Sequence, residues 1–183
     1  NGKADQLIMM VAGFRKEKDQ ATVIKSLMHL PPNYYLILVG DGERKDELVH
    51  LVDKLKLQQR VKFLGVRTDV YALLKMANMA VMSSHWEGFG LAAAEAMAAG
   101  IPVVASNVPG LAQVVEGGGV LFEKGNVLAL GKAILEISSD KDQYIKLVQS
   151  GLKKAKLYDI ENMVMATDQL YQSLIASERN KNP

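Results

Sequence analysis

Short apolar runs alternate with helix-like segments over most of this chain, and this alternation restricts the possible folds more than any other feature. The runs have the length and composition of parallel strands buried in a sheet. The segments between them have apolar stripes such as Leu48, Leu51, Val52 and Leu55, at the spacing of a core-facing helix. Because parallel strands are joined by crossovers, the pattern predicts an α/β fold with a doubly wound parallel sheet of about six strands and helices on both faces. The predicted strands are residues 7–12, 35–39, 60–65, 79–82, 103–105 and 120–122.

The last third of the chain is expected to add extra C-terminal helices only. From residue 126 onward apolar residues recur at helical spacing, and the final stripe includes Ile160, Met163 and Tyr171. The polar tail, residues 178–183, is expected to fray. A length of 183 residues favours a single domain with a real core. The chain has no initiator Met, and an apolar strand begins within seven residues of Asn1, so we expect a piece of a longer protein.

Composition argues against several classes of function. The formal net charge of +2 gives no global field suited to nucleic acid or anionic lipid, so no nucleic-acid partner is expected. There is no cysteine, and the three histidines lack metal-ligand spacing, so no metal site is expected. No apolar run approaches the roughly 20 residues of a membrane span, and the N-terminus lacks a signal-peptide pattern. A cytoplasmic location is therefore expected by default.

The strongest candidate for a binding site is the stretch of residues 83–100, SSHWEGFGLAAAEAMAAG. A strand end is followed by a turn with Gly88 and Gly90 and then by strong helix formers, an arrangement that can hold an anion at a helix N-terminus. Glu87 precedes the turn, where it could cap the helix or receive ligand hydroxyls. Glu95 lies one turn into the helix, and helical side chains lean toward the N-terminus, so its carboxylate could point back at a ligand. A solvated helix face explains Glu95 equally well.

The loop after the first strand adds cations to the same edge of the sheet. Its sequence, GFRKEK, contains Arg15 and Lys18, which could neutralise a diphosphate. A basic run on its own is more often only a solvated surface. His85 and Trp86 precede Glu87, and a packing role is favoured over a catalytic one for His85.

Two glycine patterns mimic a dinucleotide-binding fingerprint. Residues 88–93 fit G-x-G-x-x-A, but they belong to the fourth strand–helix unit, and the next strand ends in Ser106-Asn107 without an acid for a ribose. The segment GDG at residues 40–42 lacks the third small residue. The chain also lacks a P-loop and a G-x-S-x-G elbow. An NAD-dependent enzyme is therefore a poor fit.

Taken together, these residues resemble the C-terminal, donor-binding domain of the group 1 glycosyltransferases, a retaining family with the Rossmann-like GT-B fold. The resemblance rests on E-G-F-G-L-x-x-x-E at residues 87–95, followed by A-M-A-A-G-I-P-V-V-A-S at 96–106. The basic loop, V-G-D-G at 39–42 and V-K-F-L-G at 61–65 support it, and the similarity extends over most of residues 7–137. No cofactor is implied. The donor substrate would be a nucleoside-diphosphate sugar, with a UDP- or GDP-sugar expected.

The resemblance implies roles for the two acids and the helix mouth. Glu87 would contact the donor sugar as the catalytic residue, and Glu95 would bind the ribose of the nucleotide. The amides offered to the sugar and phosphates would be those of Phe89, Gly90 and Leu91.

The resemblance also implies roles for two loops. Lys18 matches the family's phosphate-binding lysine, while the usual loop arginine falls near Gly13 here and Arg15 lies two residues later. The backbone around Val66, after the third strand, would border the base. The cations and the helix N-terminus would stabilise the departing diphosphate without a metal.

Membership of this family would imply a second half of the protein. An N-terminal domain would supply most of the site for the acceptor, a glycan or lipid-linked glycan. We expect that domain to be absent here, so that the 183 residues bind donor without transferring a hexosyl group. The final helix would pack partly on the missing half, and the isolated chain would expose apolar surface and self-associate. The parent would serve polysaccharide biosynthesis, in the cytoplasm or at the membrane periphery.

Two other functions stay open from the sequence alone. A nucleotide-sugar epimerase of the same fold would need an acid or base that acts on the sugar in place of an acceptor. A non-catalytic module that binds nucleotides or other proteins could use the same sheet.

Overall fold

The computed structural model of the protein describes residues 4–179. Its centre is a six-stranded sheet in the order β3-β2-β1-β4-β5-β6, in which every adjacent pair is parallel. The predicted α/β, doubly wound, Rossmann-like fold is therefore confirmed, and every strand end lies within one residue of its predicted position. The strands are β1 Gln6–Val11, β2 Tyr34–Val39, β3 Val61–Gly65, β4 Met79–Met82, β5 Val103–Ser106 and β6 Val120–Phe122.

Local sequence explains where several helices begin. Asn126 accepts the backbone N–H of Ala129 at 2.9 Å before α6, and Asp140 accepts two first-turn amides before α7. Pro109 occupies the start of α5, where its missing N–H is not needed. The helices are α1 Gln20–Ser26, α2 Lys45–Lys54, α3 Val70–Met76, α4 Leu91–Ala98, α5 Pro109–Val115, α6 Val127–Ser139, α7 Lys141–Ala155 and α8 Ile160–Arg179, with 3-10 turns at Lys16–Lys18, Leu27–His29 and Lys156–Tyr158.

The sheet separates two apolar cores. Alternate residues of a strand point to opposite faces, so β1 sends Ile8 and Met10 into the core shared with α1, α2 and α6. Met9 goes into the other core, with α3, α4 and α5. All three side chains are at most 1% exposed, and each such burial contributes roughly 1.5–3 kcal/mol of transfer free energy. The sheet is thus fixed from both faces, which holds the loops at its edge in place.

The strand order changes direction between β1 and β4, which pair through Ile8 with Met79 and Met9 with Ala80. The chain leaves β1 toward α1 on one face and leaves β4 toward α4 on the other face. The two loops therefore diverge and leave a crevice at the carboxyl ends of these strands, the usual ligand position in open α/β sheets.

The C-terminal region is helical throughout its described part, as predicted from residue 126 onward. In the polar tail, residues 178 and 179 end α8, and the remaining four lie outside the described residues. α8 follows the turn Lys156–Tyr158, and its large apolar side chains are more than half exposed. These are Ile160, Met163, Val164, Met165, Leu170, Tyr171, Leu174 and Ile175.

Candidate functional site

A cavity of about 320 Å³ opens at the carboxyl ends of β1 and β4. Met10 and Val11 from β1 and Met82 from β4 form its floor. Lys18, Glu87 and the first turn of α4 form its walls. The cavity lies where the strand order predicts a ligand, and we call it the first cavity.

Lys18 and Glu87 form an ion pair inside the first cavity. The Lys18 ammonium Nζ lies 2.5 Å from Glu87 Oε2, and the two side chains are 22% and 19% exposed. Ser84 Oγ also donates to Glu87 Oε2, at 3.3 Å. The sequence predicted separate roles for these two side chains, Lys18 on the phosphates and Glu87 on the donor sugar, and did not predict their ion pair. Each charge therefore has a partner of opposite sign inside the cavity.

The N-terminus of α4 faces the same cavity without a side-chain cap. Its N-cap is Gly90, which has φ of +90° and makes no capping side-chain bond. A Cβ there would lie 2.6 Å from Leu111 Cδ2, so both backbone conformation and space favour glycine. Phe89, Gly90 and Leu91 line the same cavity as Lys18, and a helix N-terminus together with a cation attracts anions.

Gly110 supports the turn from below, a feature that the sequence prediction missed. A Cβ at Gly110 would lie 2.0 Å from the carbonyl oxygen of Glu87 and 2.7 Å from that of Gly88. The start of α5 therefore packs directly against the Glu87–Gly88 backbone. In the sequence, the pair Pro109-Gly110 is typical of a helix start and does not indicate what packs against it.

A second contact to the turn before α4 involves the aromatic ring of Phe89. It packs edge to face against Tyr158, with ring centroids 5.1 Å apart. Tyr158 in turn donates its hydroxyl to the Gln113 carbonyl at 3.1 Å. The turn before α4 is thus held by α5 and by the 3-10 turn that precedes α8.

A second cavity of about 420 Å³ lies beside the first, between α3 and α4. Val11 lines both cavities. Glu95 lines the second cavity and not the first, together with Thr68, Tyr71 and apolar side chains. The Glu95 side chain is exposed and forms no hydrogen bond or salt bridge with any described residue. Its carboxylate is therefore available to a ligand that extends out of the first cavity.

Arg15 and Val66 lie outside both cavities. Arg15 is exposed on the loop after β1, and Val66 is 77% exposed after β3. Next to Val66, Arg67 donates two hydrogen bonds to Asp69, at 2.8 and 2.7 Å. This pairing holds the pKa of the Asp69 carboxyl below its ordinary value. The structure therefore brings Lys18, Glu87 and the helix mouth together, with Glu95 next to them, but not Arg15.

The described residues include no group of three or more histidine or acidic side chains placed to hold a metal ion. Within residues 4–179, no helix combines the length and apolar character needed to cross a bilayer.

The sequence matches a family model described as "Glycosyl transferases group 1" over residues 1–154. N-acetyl-alpha-D-glucosaminyl L-malate synthase of Bacillus anthracis is 26% identical, over 97% of this chain and 48% of that protein. Glycogen synthase of Mycobacterium tuberculosis is 31% identical, over 90% of this chain and 41% of that protein. The chain thus spans about half the length of the curated relatives it matches.

Solved structures with the same fold include proteins that contain nucleotide. Anabaena Alr3699/HepE in complex with UDP and glucose superposes with a TM-score of 0.85 and 29% identity, over 94% of this chain and 48% of that one. The same protein is also known in complex with UDP-glucose. Sucrose-phosphate synthase from Thermosynechococcus elongatus has a TM-score of 0.86 and 31% identity, over 94% of this chain and 46% of that one.

Proposed function

The chain belongs to the family of group 1 glycosyltransferases, and on this premise we propose that its two cavities bind a nucleoside-diphosphate sugar, the donor of a glycosyl transfer reaction. The observation that carries the proposal is the Lys18–Glu87 pair, which faces the uncapped N-terminus of α4 at the switch point of the sheet. The UDP and UDP-glucose complexes of Anabaena HepE support the same ligand class.

Donor binding exchanges the partners of this ion pair. The diphosphate replaces Glu87 beside the Lys18 ammonium and also meets the amides of Phe89, Gly90 and Leu91. Hydrogen bonds to a charged group contribute about 1.5–3 kcal/mol each when shielded from water. Glu87, no longer paired with Lys18, then accepts hydrogen bonds from hydroxyl groups of the donor sugar. One ligand thereby satisfies both charges.

The nucleoside half of the donor lies in the second cavity. There the Glu95 carboxylate accepts hydrogen bonds from the ribose hydroxyls. The apolar wall and the exposed ring of Tyr71 offer the base a stacking surface, and the backbone near Val66 borders it. Stacking tolerates any base, so the choice between a UDP- and a GDP-sugar depends on groups at the rim of this cavity.

The reaction that we propose for the parent protein is hexosyl transfer with retention. The bond between the anomeric carbon and the diphosphate oxygen breaks, and the diphosphate leaves with the electron pair. Lys18 and the α4 amides stabilise that growing negative charge. The acceptor hydroxyl oxygen forms the new bond on the side from which the diphosphate leaves and gives its proton to the departing diphosphate oxygen. Arg15, exposed on the neighbouring loop, adds long-range positive potential and no direct contact.

Transfer requires a second half that presents the acceptor. The curated relatives are about twice as long as this chain, which supports a parent of two domains. We propose that the acceptor, a glycan or lipid-linked glycan, binds mainly to that other half and that the exposed apolar face of α8 contacts it. Self-association of the isolated chain through this face and a cytoplasmic location stay predictions.

Calorimetric titration of the 183-residue chain with UDP, GDP and ADP tests donor binding. We expect one of these nucleotides to bind at a single site and Lys18→Gln to weaken it by about tenfold or more. Lys132→Gln is the matched control, because this lysine is exposed on α6 and lines neither cavity. This variant should bind nucleotide as the unaltered chain does. Binding of no nucleotide would contradict the proposal and favour a protein-interaction module.

A radiolabelled-donor assay tests the division into two halves. The isolated chain should transfer no labelled sugar from donor to acceptor. Robust transfer by these residues alone would contradict the proposed need for a second half. Accumulation of an epimer when the parent receives donor without acceptor would instead favour the epimerase.

A further inference from the structure

Asp19 has an unusual backbone directly after Lys18. Its φ and ψ are 48° and 49°, the left-handed region, which residues other than glycine seldom adopt. Asp19 is also buried, with 7% of its surface exposed. A buried, left-handed, charged residue persists only when its surroundings hold it there.

Three contacts hold the Asp19 carboxylate. Thr22 donates its hydroxyl to Asp19 Oδ2 at 2.6 Å and its backbone N–H to Oδ1 at 3.3 Å. His85 Nε2 lies 3.3 Å from Oδ2. The first two contacts cap α1, and the third ties Asp19 to the loop after β4, which also contains Glu87.

The backbone on either side of Asp19 is tied to the same loop. Ser83 Oγ lies 2.8 Å from the Asp19 carbonyl oxygen and 3.0 Å from that of Lys18. The backbone N–H of His85 donates to the Glu17 carbonyl at 2.7 Å. These bonds join residues 17–19 to residues 83–85 independently of the Lys18–Glu87 ion pair.

The independence matters when the ion pair breaks. Lysine has a long, flexible side chain, so its ammonium reaches a ligand reproducibly only if its backbone is fixed. Once a diphosphate replaces Glu87, the ion pair no longer joins the two loops, and the contacts of Asp19, Ser83 and His85 remain.

We propose that Asp19 is a positioning residue that holds the Lys18 backbone, through its left-handed conformation and its bonds to Thr22 and His85, so that the ammonium meets the donor diphosphate. This inference rests on the proposed function, since it takes Lys18 to bind the diphosphate. Asp19 itself touches no part of the donor.

Three substitutions separate its backbone role from its carboxylate. Asp19→Asn keeps the tolerance for left-handed backbone and an oxygen for the α1 cap, and should bind UDP within about threefold of the unaltered chain. Asp19→Gly keeps the backbone but loses every side-chain contact, and should weaken UDP by about threefold to tenfold. Asp19→Ala loses both and should weaken UDP by more than about tenfold.

Each variant is titrated calorimetrically with UDP and with uridine, which has no phosphate. A positioning role predicts loss of UDP affinity with unchanged uridine affinity. It also predicts that Asp19→Ala has little further effect when Lys18 is already Gln. Asp140→Ala is the matched control, since it removes an aspartate cap from α7 away from the site. It should lower the melting temperature and leave UDP affinity unchanged.

Equal losses of affinity for UDP and for uridine would overturn the inference, because Asp19 would then act on the fold generally. Full additivity of the Asp19→Ala and Lys18→Gln effects on UDP affinity would overturn it for the same reason. Unchanged UDP affinity in both the Gly and Ala variants would overturn it as well, and the Gly variant alone decides if the Ala variant does not fold. If the unaltered chain binds no nucleotide, the proposed function itself fails, a result distinct from these.

Discussion

Replacing Glu87 by glutamine should tighten the binding of UDP, although we propose that Glu87 contacts the donor sugar. The Glu87 carboxylate lies 2.5 Å from the Lys18 ammonium, and both side chains are about four-fifths buried, at 19% and 22% exposure. UDP lacks the donor sugar that we propose engages Glu87. UDP binding should therefore break this ion pair and leave the Glu87 carboxylate unpaired near the phosphates of UDP. The substitution removes both penalties.

The size of the effect follows from the exposure of the pair. A fully exposed ion pair contributes about 0.2–1 kcal/mol, and a hydrogen bond to a charged group in a shielded position about 1.5–3 kcal/mol. The Lys18–Glu87 pair lies between these cases, so the cost of breaking it is about 1–2 kcal/mol. UDP affinity of Glu87→Gln should therefore rise about fivefold to thirtyfold, given that 1.4 kcal/mol is a factor of ten.

The affinity for UDP-glucose should gain less from Glu87→Gln than the affinity for UDP does. Its sugar hydroxyls lose a charged acceptor in the variant, which costs about 1.5–3 kcal/mol. The ratio of UDP-glucose affinity to UDP affinity should thus fall by more than about tenfold. Paired calorimetric titrations measure both ligands, and the single tryptophan of the chain, Trp86, gives an independent fluorescence signal beside Glu87.

Glu136→Gln is the matched control for this prediction. Glu136 pairs with Lys132 at 3.7 Å on the surface of α6, with side-chain exposures of 55% and 78%. The same chemical change there should leave both affinities unaltered. If Glu87→Gln binds UDP no better than the unaltered chain, the exchange of partners by Lys18 is refuted.

Three further predictions address the rest of the site and the fold. Glu95→Gln should weaken UDP by about fivefold or more and 2′-deoxy-UDP by less, because part of the lost bonding is to the ribose; equal losses measured by calorimetry would contradict a ribose contact. Gly110→Ala should lower the free energy of unfolding in urea by more than about 3 kcal/mol, because its Cβ would meet the Glu87 carbonyl at 2.0 Å, whereas Gly88→Ala, with nothing within 4 Å, should cost less than about 1 kcal/mol. Burial raises the pKa of Tyr144 above its ordinary value of 10.0, so its contribution to stability is complete below pH 10.0 and lost as pH rises through the higher folded pKa. Tyr144→Phe should flatten this alkaline decline in urea titrations, and should cost about 1 kcal/mol at neutral pH through loss of the bond to the Asn78 carbonyl; an unchanged alkaline decline would show that another group causes it.

The sequence pattern was sufficient to predict the sheet because each strand–helix unit is local. A run such as YLILV, followed by glycine and an apolar stripe at helical spacing, specifies both elements within about 20 residues, near the usual size of such a unit. Only the strand order, which places β1 beside β4, requires knowledge of contacts across the chain. The general rule for open parallel sheets places the expected ligand at the carboxyl ends of the strands, and the first cavity opens at this edge.

The site was less accessible from the sequence because its decisive contacts are long-range. Lys18 and Glu87 are 69 residues apart, and nothing in either motif indicates that they pair when no ligand is present. The packing of Gly110 under the Glu87 carbonyl, and the tie between His85 and Asp19, are also invisible to local spacing. A satisfied or packing role was favoured over a catalytic one for His85, and the structure places its Nε2 3.3 Å from Asp19 Oδ2.

The two acids of the E-x7-E motif face different cavities, which gives a physical reason for their spacing. Glu87 precedes the N-cap of α4 and lines the first cavity, whereas Glu95 lies one turn inside the helix and lines the second. The first turn of α4 lines the first cavity, and Val11 lines both cavities. Under the proposed function, a ligand that engages both acids has its anionic group at the α4 N-terminus and hydroxyl groups on either side of it. A nucleoside-diphosphate sugar has this order, whereas a free sugar or a free nucleoside fills only one cavity. Shortening α4 by one residue before Glu95 would rotate that carboxylate by about 100° around the helix, away from the second cavity, while Glu87 stayed in place.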